Sequence, residues 1–363
     1  MHKRIVAVLV IAALALAIVP FAGAQEGAVK HARVRIGYFA FDPKDYDTYV
    51  DGELFPFATQ LVNVGWSIPI DSMHTVNTAS PFFDFSDGIH SFAIAPQGEG
   101  LEAAILDPKE VTLEAGHAYS LAIVGSLDAD NLDLLVIDDT QILAGTDPRT
   151  AFVFIVVNNI AGIPAFETEG TNKEVVGYGQ FSGNLLPAGP LTTLSVYATT
   201  GDQRNLLLAD SASVAPGLSN FGAMFGSYPG ALNEDYFYAV NFGYAGQITV
   251  LDGGAIEVGS EATGEIAAVT QRVRYTLTLT ADTVLTITAS ETGQGFDAFD
   301  PAVYVFDAEG KLLVWSDDVS LADYSAKLEG ITLKAGTYTI EVGGSSDLLS
   351  GRFKLVVENA ASD

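Results

Sequence analysis

The chain has 363 residues, a formal net charge of −28 and no cysteine. The lack of cysteine excludes disulfides, thiolate metal sites and cysteine nucleophiles, and the strongly acidic charge argues against nucleic acid and anionic lipid as partners. The length is enough for about two or three hydrophobic cores, which must stabilise the protein without covalent cross-links.

The first 24 residues have the three parts of a secretory signal peptide. Residues 1–4 include two basic side chains, residues 5–19 are apolar, and Ala22-Gly23-Ala24 forms a small-residue cleavage site. The apolar run is shorter than the about 20 residues of a spanning helix. We predict cleavage before Gln25 and a secreted or extracytoplasmic, cell-surface bacterial protein with no membrane insertion afterwards. The alternative is an uncleaved membrane anchor.

The rest of the chain predicts an all-β fold of tandem antiparallel β-sandwich modules. Short runs rich in Val, Ile, Thr, Tyr and Phe are separated by Gly, Pro, Asp and Asn, which is typical of sandwiches and barrels. Apolar residues alternate with polar ones at 275–279 and at 338–342. Alternation of this kind is what a strand with one buried face requires.

We divide the mature chain into three modules, at residues 32–146, 151–253 and 255–358. The connections between them, at 145–149 and at Gly253-Gly254, are short. Short connections predict that the modules touch each other.

The second module is interpreted as a degenerate repeat of the first, because three of its segments resemble segments of the first module. The corresponding pairs are Arg33–Ile36 with Phe152–Ile155, Ile89–Ile94 with Leu191–Val196, and Leu134–Asp139 with Ile248–Asp252.

The first module also resembles a known family. Residues 32–52 read ARVRIGYFAFDPKDYDTYVDG, and residues 113–125 read LEAGHAYSLAIVG. An opening strand, an acidic loop with proline, a Val-Asp-Gly hairpin and an Ala-Gly turn in this order resemble the domain-of-unknown-function family 4397. This chain has Tyr38 where the family often has histidine, which argues against a histidine-based site there.

The third module resembles the bacterial pre-peptidase C-terminal (PPC) domain. The matching stretches include DPAVYVFD at 300–307 and AGTYTIEV at 335–342. The resemblance implies a jelly-roll-like β-sandwich, and some relatives bind calcium, matrix polymers or cell-wall material. No protease domain precedes this module, so the association with proteases is not carried over.

No catalytic motif is complete. The nearest approaches to Gly-x-Ser-x-Gly, at 180–183 and 217–222, do not fit it. His31, His74, His90 and His117 have no zinc spacing, and a glycosidase would need two carboxylates facing each other in a cleft. We predict a protein that is not an enzyme and has no certain cofactor.

Calcium is the one candidate ligand, and its predicted site lies in the third module. Asp297 and Asp300 precede one strand, and Asp317 and Asp318 follow the next. If the two strands form a hairpin, all four carboxylates gather at one end of the sheet, where a hard cation would relieve their repulsion. The alternative is that all four simply face water.

These observations favour a non-catalytic structural or interaction protein of the cell envelope or extracellular space, with an unidentified extracellular protein or polysaccharide as its partner. A protein that binds polysaccharide or matrix polymer is the alternative, for which Trp66 and Trp315 are the candidate stacking residues, although burial in a core is the preferred interpretation of both. A carboxylate-dependent glycoside hydrolase is the third hypothesis.

Overall fold

The computed structural model describes residues 31–38, 46–56, 80, 82–125, 131–143, 151–161, 165–169, 173–187, 189–200, 203–214, 218–227, 236–244, 248–268, 270–292, 299–317, 319, 323–347 and 349–360. The predicted signal peptide and Gln25 lie outside these residues. The all-β prediction is confirmed, since the described chain consists of strands arranged in paired sheets, with one short α-helix.

The first module is a sandwich of two four-stranded sheets, ordered β4-β1-β7-β8 and β3-β2-β5-β6. Its strands are β1 (His31–Tyr38), β2 (Tyr46–Val50), β3 (Glu53–Leu54), β4 (Phe83–Ser86), β5 (Gly88–Pro96), β6 (Leu106–Leu113), β7 (Ala118–Val124) and β8 (Asp133–Asp138). Asp51 and Gly52 both have positive φ, which gives the tight hairpin between β2 and β3 its twist. Helix α1 (Asp139–Leu143) follows β8 directly.

The second module has the same strand order as the first, with sheets β12-β9-β15-β16 and β11-β10-β13-β14. Its strands are β9 (Ala151–Ala161), β10 (Ala165–Glu169), β11 (Lys173–Gly177), β12 (Gln180–Pro187), β13 (Gly189–Thr200), β14 (Gln203–Val214), β15 (Leu218–Ser227) and β16 (Tyr236–Tyr244). The parallel pairing of β1 with β7 recurs as that of β9 with β15. Each strand of the first module therefore has a counterpart eight strands later.

One of the three expected correspondences between the modules is wrong. The position of β8 is taken in the second module by β16, and not by the segment 248–252. Residues 249–256 instead form β17, which pairs in parallel with β19 of the third module. The segment has the β-branched and apolar residues of a strand in either place, and only its pairing partner decides to which sandwich it belongs.

The third module is a sandwich of a five-stranded sheet, β17-β19-β24-β21-β22, and a four-stranded sheet, β18-β25-β20-β23. Its strands are β17 (Thr249–Ile256), β18 (Ser260–Ile266), β19 (Gln271–Leu279), β20 (Thr283–Glu291), β21 (Pro301–Phe306), β22 (Leu312–Ser316), β23 (Ala326–Leu333), β24 (Gly336–Gly344) and β25 (Gly351–Asn359). The predicted alternation is observed, because Tyr275, Leu277, Ile340 and Val342 all lie in the core between the two sheets.

Candidate functional site

The strand that opens the first module is buried on both faces. Val34 and Ile36 belong to the core of their own sandwich, whereas Arg33 and Arg35 alternate with them and therefore face the other way. Both arginines are nevertheless buried, at 3% and 0% exposure. A charge removed from water is costly unless it is paired and hydrogen-bonded, so the partners of these arginines define what the second face contacts.

Arg33 finds its partner in the third module. Its Nη2 donates to Oδ2 of Asp347 at 2.6 Å. Arg272 of β19 donates to the same carboxylate, from Nε to Oδ1 at 2.8 Å and from Nη2 to Oδ2 at 2.9 Å. Arg272 also donates from Nη1 to Oδ2 of Asp84 in β4, at 3.0 Å. Each of the two modules therefore supplies an arginine to a carboxylate of the other.

A third carboxylate, Glu341 of β24, balances the charges. Its Oε2 accepts from Nη1 of Arg272 at 3.3 Å, and its Oε1 accepts from Nε of Arg274 at 2.8 Å. We call the six residues of this network the junction cluster: Arg33, Arg272, Arg274, Asp84, Glu341 and Asp347. Three positive charges face three negative ones, so the network can be buried without a net charge.

Burial and ion pairing shift the pKa values of Arg33 and Arg272 in opposite directions. Burial lowers the pKa of Arg33, and the carboxylates of Asp347 and Asp84 oppose this only in part. Burial also lowers the pKa of Arg272, but there the attraction of Asp347 and Asp84 outweighs it and the pKa is raised well above its usual value. Arginine stays protonated in proteins, so both side chains enter the interface charged.

Aromatic rings cover the guanidinium groups. The ring centroid of Phe82 lies 4.9 Å from Cζ of Arg33 and 4.7 Å from Cζ of Arg35, so one ring contacts both guanidinium groups. The ring of Tyr304 lies 4.2 Å from Cζ of Arg272. A cation over an aromatic face is attracted to it, more strongly where water is excluded.

The apolar part of the interface comes from β21 and β22. Val303 and Val305 face the core of the third module, and the side chains on the outer face belong instead to the core of the first module. These outer residues are Ala302, Tyr304, Phe306, Leu312 and Trp315. Phe83 of β4 meets Trp315 edge to face, with ring centroids 5.1 Å apart. The cores of the first and third modules are therefore continuous with each other.

The backbone beside Asp347 adopts an unusual conformation. Thr270 and Asp347 have φ values of +68° and +58°, in the left-handed region, which is uncommon for non-glycine residues and rare for a β-branched one such as Thr270. The two residues are joined directly, because the amide of Thr270 donates to the carbonyl oxygen of Asp347 at 2.9 Å. Non-glycine residues held in this region cost stability and persist where the surrounding structure imposes them. Here the surrounding structure is the junction cluster, to which Asp347 belongs.

Arg35 serves a second connection, to helix α1. Its Nε donates to Oγ of Ser120 at 2.7 Å, and its Nη2 donates to Oδ2 of Asp139 at 3.1 Å. Burial lowers the pKa of Arg35 to about 10, with Asp139 opposing the shift. Ile142 of the same helix packs so closely on β12 that a Cβ atom placed on Gly183 would lie 2.5 Å from its Cδ1. Helix α1 thereby ties the first module to the second.

A serine, a histidine and an aspartate meet at the rim of the first module without forming a catalytic triad. Nδ1 of His90 lies 2.8 Å from Oδ2 of Asp51, and Nε2 lies 3.3 Å from Oγ of Ser86. Nε2 is closer, at 2.9 Å, to the carbonyl oxygen of Ser86. The nearest neighbour of Nε2 is thus a backbone oxygen, whereas a catalytic triad needs the serine hydroxyl in that position. The three side chains fasten the β2–β3 hairpin to the β4–β5 turn.

The predicted calcium residues are only partly described. Asp297 and Asp318 lie outside the described residues. β21 and β22 do form the expected antiparallel hairpin, with Val303 opposite Ser316, so Asp300 and Asp317 lie at one end of the sheet. In the part of the chain that the structure describes, no group of three or more acidic or histidine residues is arranged to hold a metal. The calcium site stays a prediction.

The structure tests the interpretation of only one of the two tryptophans. Trp66 lies outside the described residues. Trp315 is 3% exposed and stacks against Tyr304, which confirms a core position rather than an open platform for a sugar.

Sequence reasoning missed the junction cluster, although two signals for it are present. Residues 301–306 read PAVYVF, an uninterrupted apolar run, which is typical of a strand covered on both faces. The second signal is the pair Arg33 and Arg35 in a strand with few other charges. Neither signal identifies the partner, because the residues that meet are separated by up to 314 positions.

Residues 32–166 match the family model described as a domain of unknown function. This family is DUF4397, and its model covers the first module. The DUF4397 match continues past α1 and through β9 as far as Phe166, the second residue of β10. The family's description names no catalytic activity, and no curated protein matches the chain.

Two solved structures resemble parts of the chain. The pre-peptidase C-terminal domain of collagenase from Bacillus anthracis is 12% identical, covers 30% of this chain and 95% of its own, and gives a TM-score of 0.25. PliG of Aeromonas hydrophila, a periplasmic inhibitor of g-type lysozyme, is 16% identical, covers 30% of this chain and 99% of its own, and gives a TM-score of 0.20. No helix among the described residues is long and apolar enough to cross a membrane.

Proposed function

We propose that this protein is a non-catalytic structural or interaction protein that works outside the cytoplasm, in the cell envelope or the extracellular space. The observation that best supports a structural role is the location of three paired charged side chains. Arg33, Arg272 and Asp347 are buried between two modules, where they hold the chain together and cannot meet a substrate. A buried ionic contact between two modules is suited to keeping those modules at fixed positions.

The sequence of the first 24 residues supports export. To test it, the full chain is expressed in a bacterium with its own N-terminus, the cells are fractionated, and the mass of the protein is measured. We expect extracytoplasmic protein that begins at Gln25. The matched control carries Leu14→Arg and Leu16→Arg, which interrupt the apolar run and should keep the protein in the cytoplasm. Wild-type protein that stays in the cytoplasm with Met1 or the uncleaved leader would contradict the proposal.

The structural role and the polysaccharide alternative differ in what the purified protein binds. On a glycan array and in sedimentation with cell-wall polymer, a structural protein should show no saturable binding. Saturable binding to one glycan class would favour the alternative instead. The burial of Trp315 removes one of the two candidate stacking residues for that alternative.

We also propose calcium as the ligand of Asp297, Asp300, Asp317 and Asp318, and the antiparallel pairing of Val303 with Ser316 supports this because the start of β21 lies beside the end of β22. A site with a dissociation constant of about 10⁻⁴ M would be filled at about millimolar calcium and should raise the stability by about 1–2 kcal/mol. The melting temperature of the full chain is compared in calcium and in chelator. Equal values, or a shift that persists when Asp297, Asp300, Asp317 and Asp318 are all changed to Asn, would contradict the site.

A further inference from the structure

The outer face of the five-stranded sheet has the composition of an interface. The five side chains that β21 and β22 place there are buried with the first module's core, and Arg272 and Glu341 beside them are at most 2% exposed. Without the first module over it, this face would expose a tyrosine, a tryptophan, a phenylalanine and a leucine next to buried charges. Apolar patches of that kind are rare on protein surfaces except at interaction sites.

The polar contacts across this interface are reciprocal. Arg33 of the first module pairs with Asp347 of the third, and Arg272 of the third pairs with Asp84 of the first. Charges arranged in this way favour one docking register and penalise any surface that lacks the partners, because the unmatched charges would be buried alone.

The second module shows which residues carry this preference. It has the same strand order, and the register places Arg33 opposite Asp84 in β1 and β4, and Phe152 opposite Leu186 in β9 and β12. Strand β9 is the counterpart of β1, and the correspondence of Arg33–Ile36 with Phe152–Ile155 aligns these two pairs. The repeat therefore has two apolar residues where the first module has an ion pair.

We propose that the outer face of the third module is a dedicated binding surface for the first module, and that the charges of Arg33 and Asp84 select the first module over its repeat. The apolar side chains of β21 and β22 supply the affinity, and the junction cluster supplies the selectivity. The two modules remain associated when the chain between them is cut. This inference identifies an intramolecular partner and does not depend on export.

The test uses the full mature chain with a specific protease site inserted between β16 and β17. After cleavage, the two pieces are followed by size-exclusion chromatography at micromolar concentration. We expect them to elute together as one complex. Pieces that separate while each keeps its β-type circular dichroism spectrum would overturn the proposal.

The selectivity is tested by giving the first module the residues of its repeat. The double variant Arg33→Phe, Asp84→Leu keeps an apolar cross-strand pair in β1 and β4 but leaves Asp347 and Arg272 each short of a partner. We expect the cleaved pieces to bind at least tenfold more weakly. The matched control, Arg352→Ala with Glu265→Ala, removes an exposed arginine–carboxylate pair on the opposite sheet of the third module and should leave binding unchanged. Equal affinity of the double variant and the wild type would refute the selective role of the charges.

A second measurement remains decisive if the double variant fails to fold. Lys311 and Glu53 form an ion pair between the third and first modules at the rim of the interface. The chain has no cysteine, so Glu53→Cys with Lys311→Cys introduces the only two thiols. A short bismaleimide should link them in the cleaved protein and hold both pieces together on a denaturing gel. The same reaction in urea is the control, and equal yields in both conditions would count against the docked arrangement.

Discussion

The two outer faces of the third module show how the same side-chain types take different roles. At the five-stranded sheet, Arg272 of β19 and Asp347, which lies just after β24, are both 1% exposed at their side chains and lie beneath the first module. On the four-stranded sheet, Arg352 and Glu265 pair at 3.3 Å with side chains that are 70% and 54% exposed. An exposed pair gains little because water and salt screen it. A buried pair is costly to separate because each partner would be left as an uncompensated charge.

The largest effect should come from Asp347, the acceptor for arginines of two modules. Asp347→Ala leaves Arg33 and Arg272 without their shared carboxylate and should lower the free energy of unfolding by about 3–5 kcal/mol. Urea denaturation, followed by circular dichroism, measures this loss. A loss below about 1 kcal/mol, the range of an exposed pair, would remove the distinction between the two faces.

The apolar contacts of the buried face should come next. Trp315→Ala removes a side chain that is 3% exposed and should cost about 3 kcal/mol through the lost contacts and the cavity. Val284→Ala on the four-stranded sheet, where the side chain is 46% exposed, should cost about 0.5 kcal/mol or less. Similar losses at both positions would mean that the first module does not cover the Trp315 face in solution.

Substitution of Tyr304 should raise the free energy of unfolding instead of lowering it. Its hydroxyl is buried and has no hydrogen-bond partner among the described residues, and burial raises the pKa of this phenol. Tyr304→Phe removes the unsatisfied group and keeps the ring over Arg272, so it should stabilise the protein by about 1 kcal/mol or less. A clear destabilisation in the same urea titration would show that the hydroxyl makes a contact that this arrangement lacks.

The smallest effect should come from the exposed pair. Glu265→Ala should change the free energy of unfolding by at most about 0.5 kcal/mol, and the difference should disappear at molar salt because screening weakens the pair in the wild type. A loss of more than 1 kcal/mol, about the upper limit for exposed pairs, that persists in salt would place Glu265 with the buried residues.

The strands of the sandwiches were predictable because their information is local. Alternation at Tyr275, Leu277 and Leu279 requires one buried face wherever the strand is placed, and the Asp51-Gly52 turn fixes its hairpin within a few residues. The segment 248–252 shows the limit of local information, since its residue types predict a strand but do not indicate whether that strand pairs with the second module or the third. The connection at Gly253-Gly254 likewise lies inside β17.

By itself, the sequence determined that this protein is an all-β chain of tandem sandwich modules, because strand periodicity and turn residues act between near neighbours. Only the tertiary structure decided that the first module docks on the third and that Arg33, Arg272 and Asp347 form its buried ionic contact. The physical reason is that the contribution of a charged residue to stability depends on its exposure to solvent and on its partner. Arg33 reads as an ordinary polar position of a strand, and only the folded chain brings Asp347 to within 2.6 Å of it.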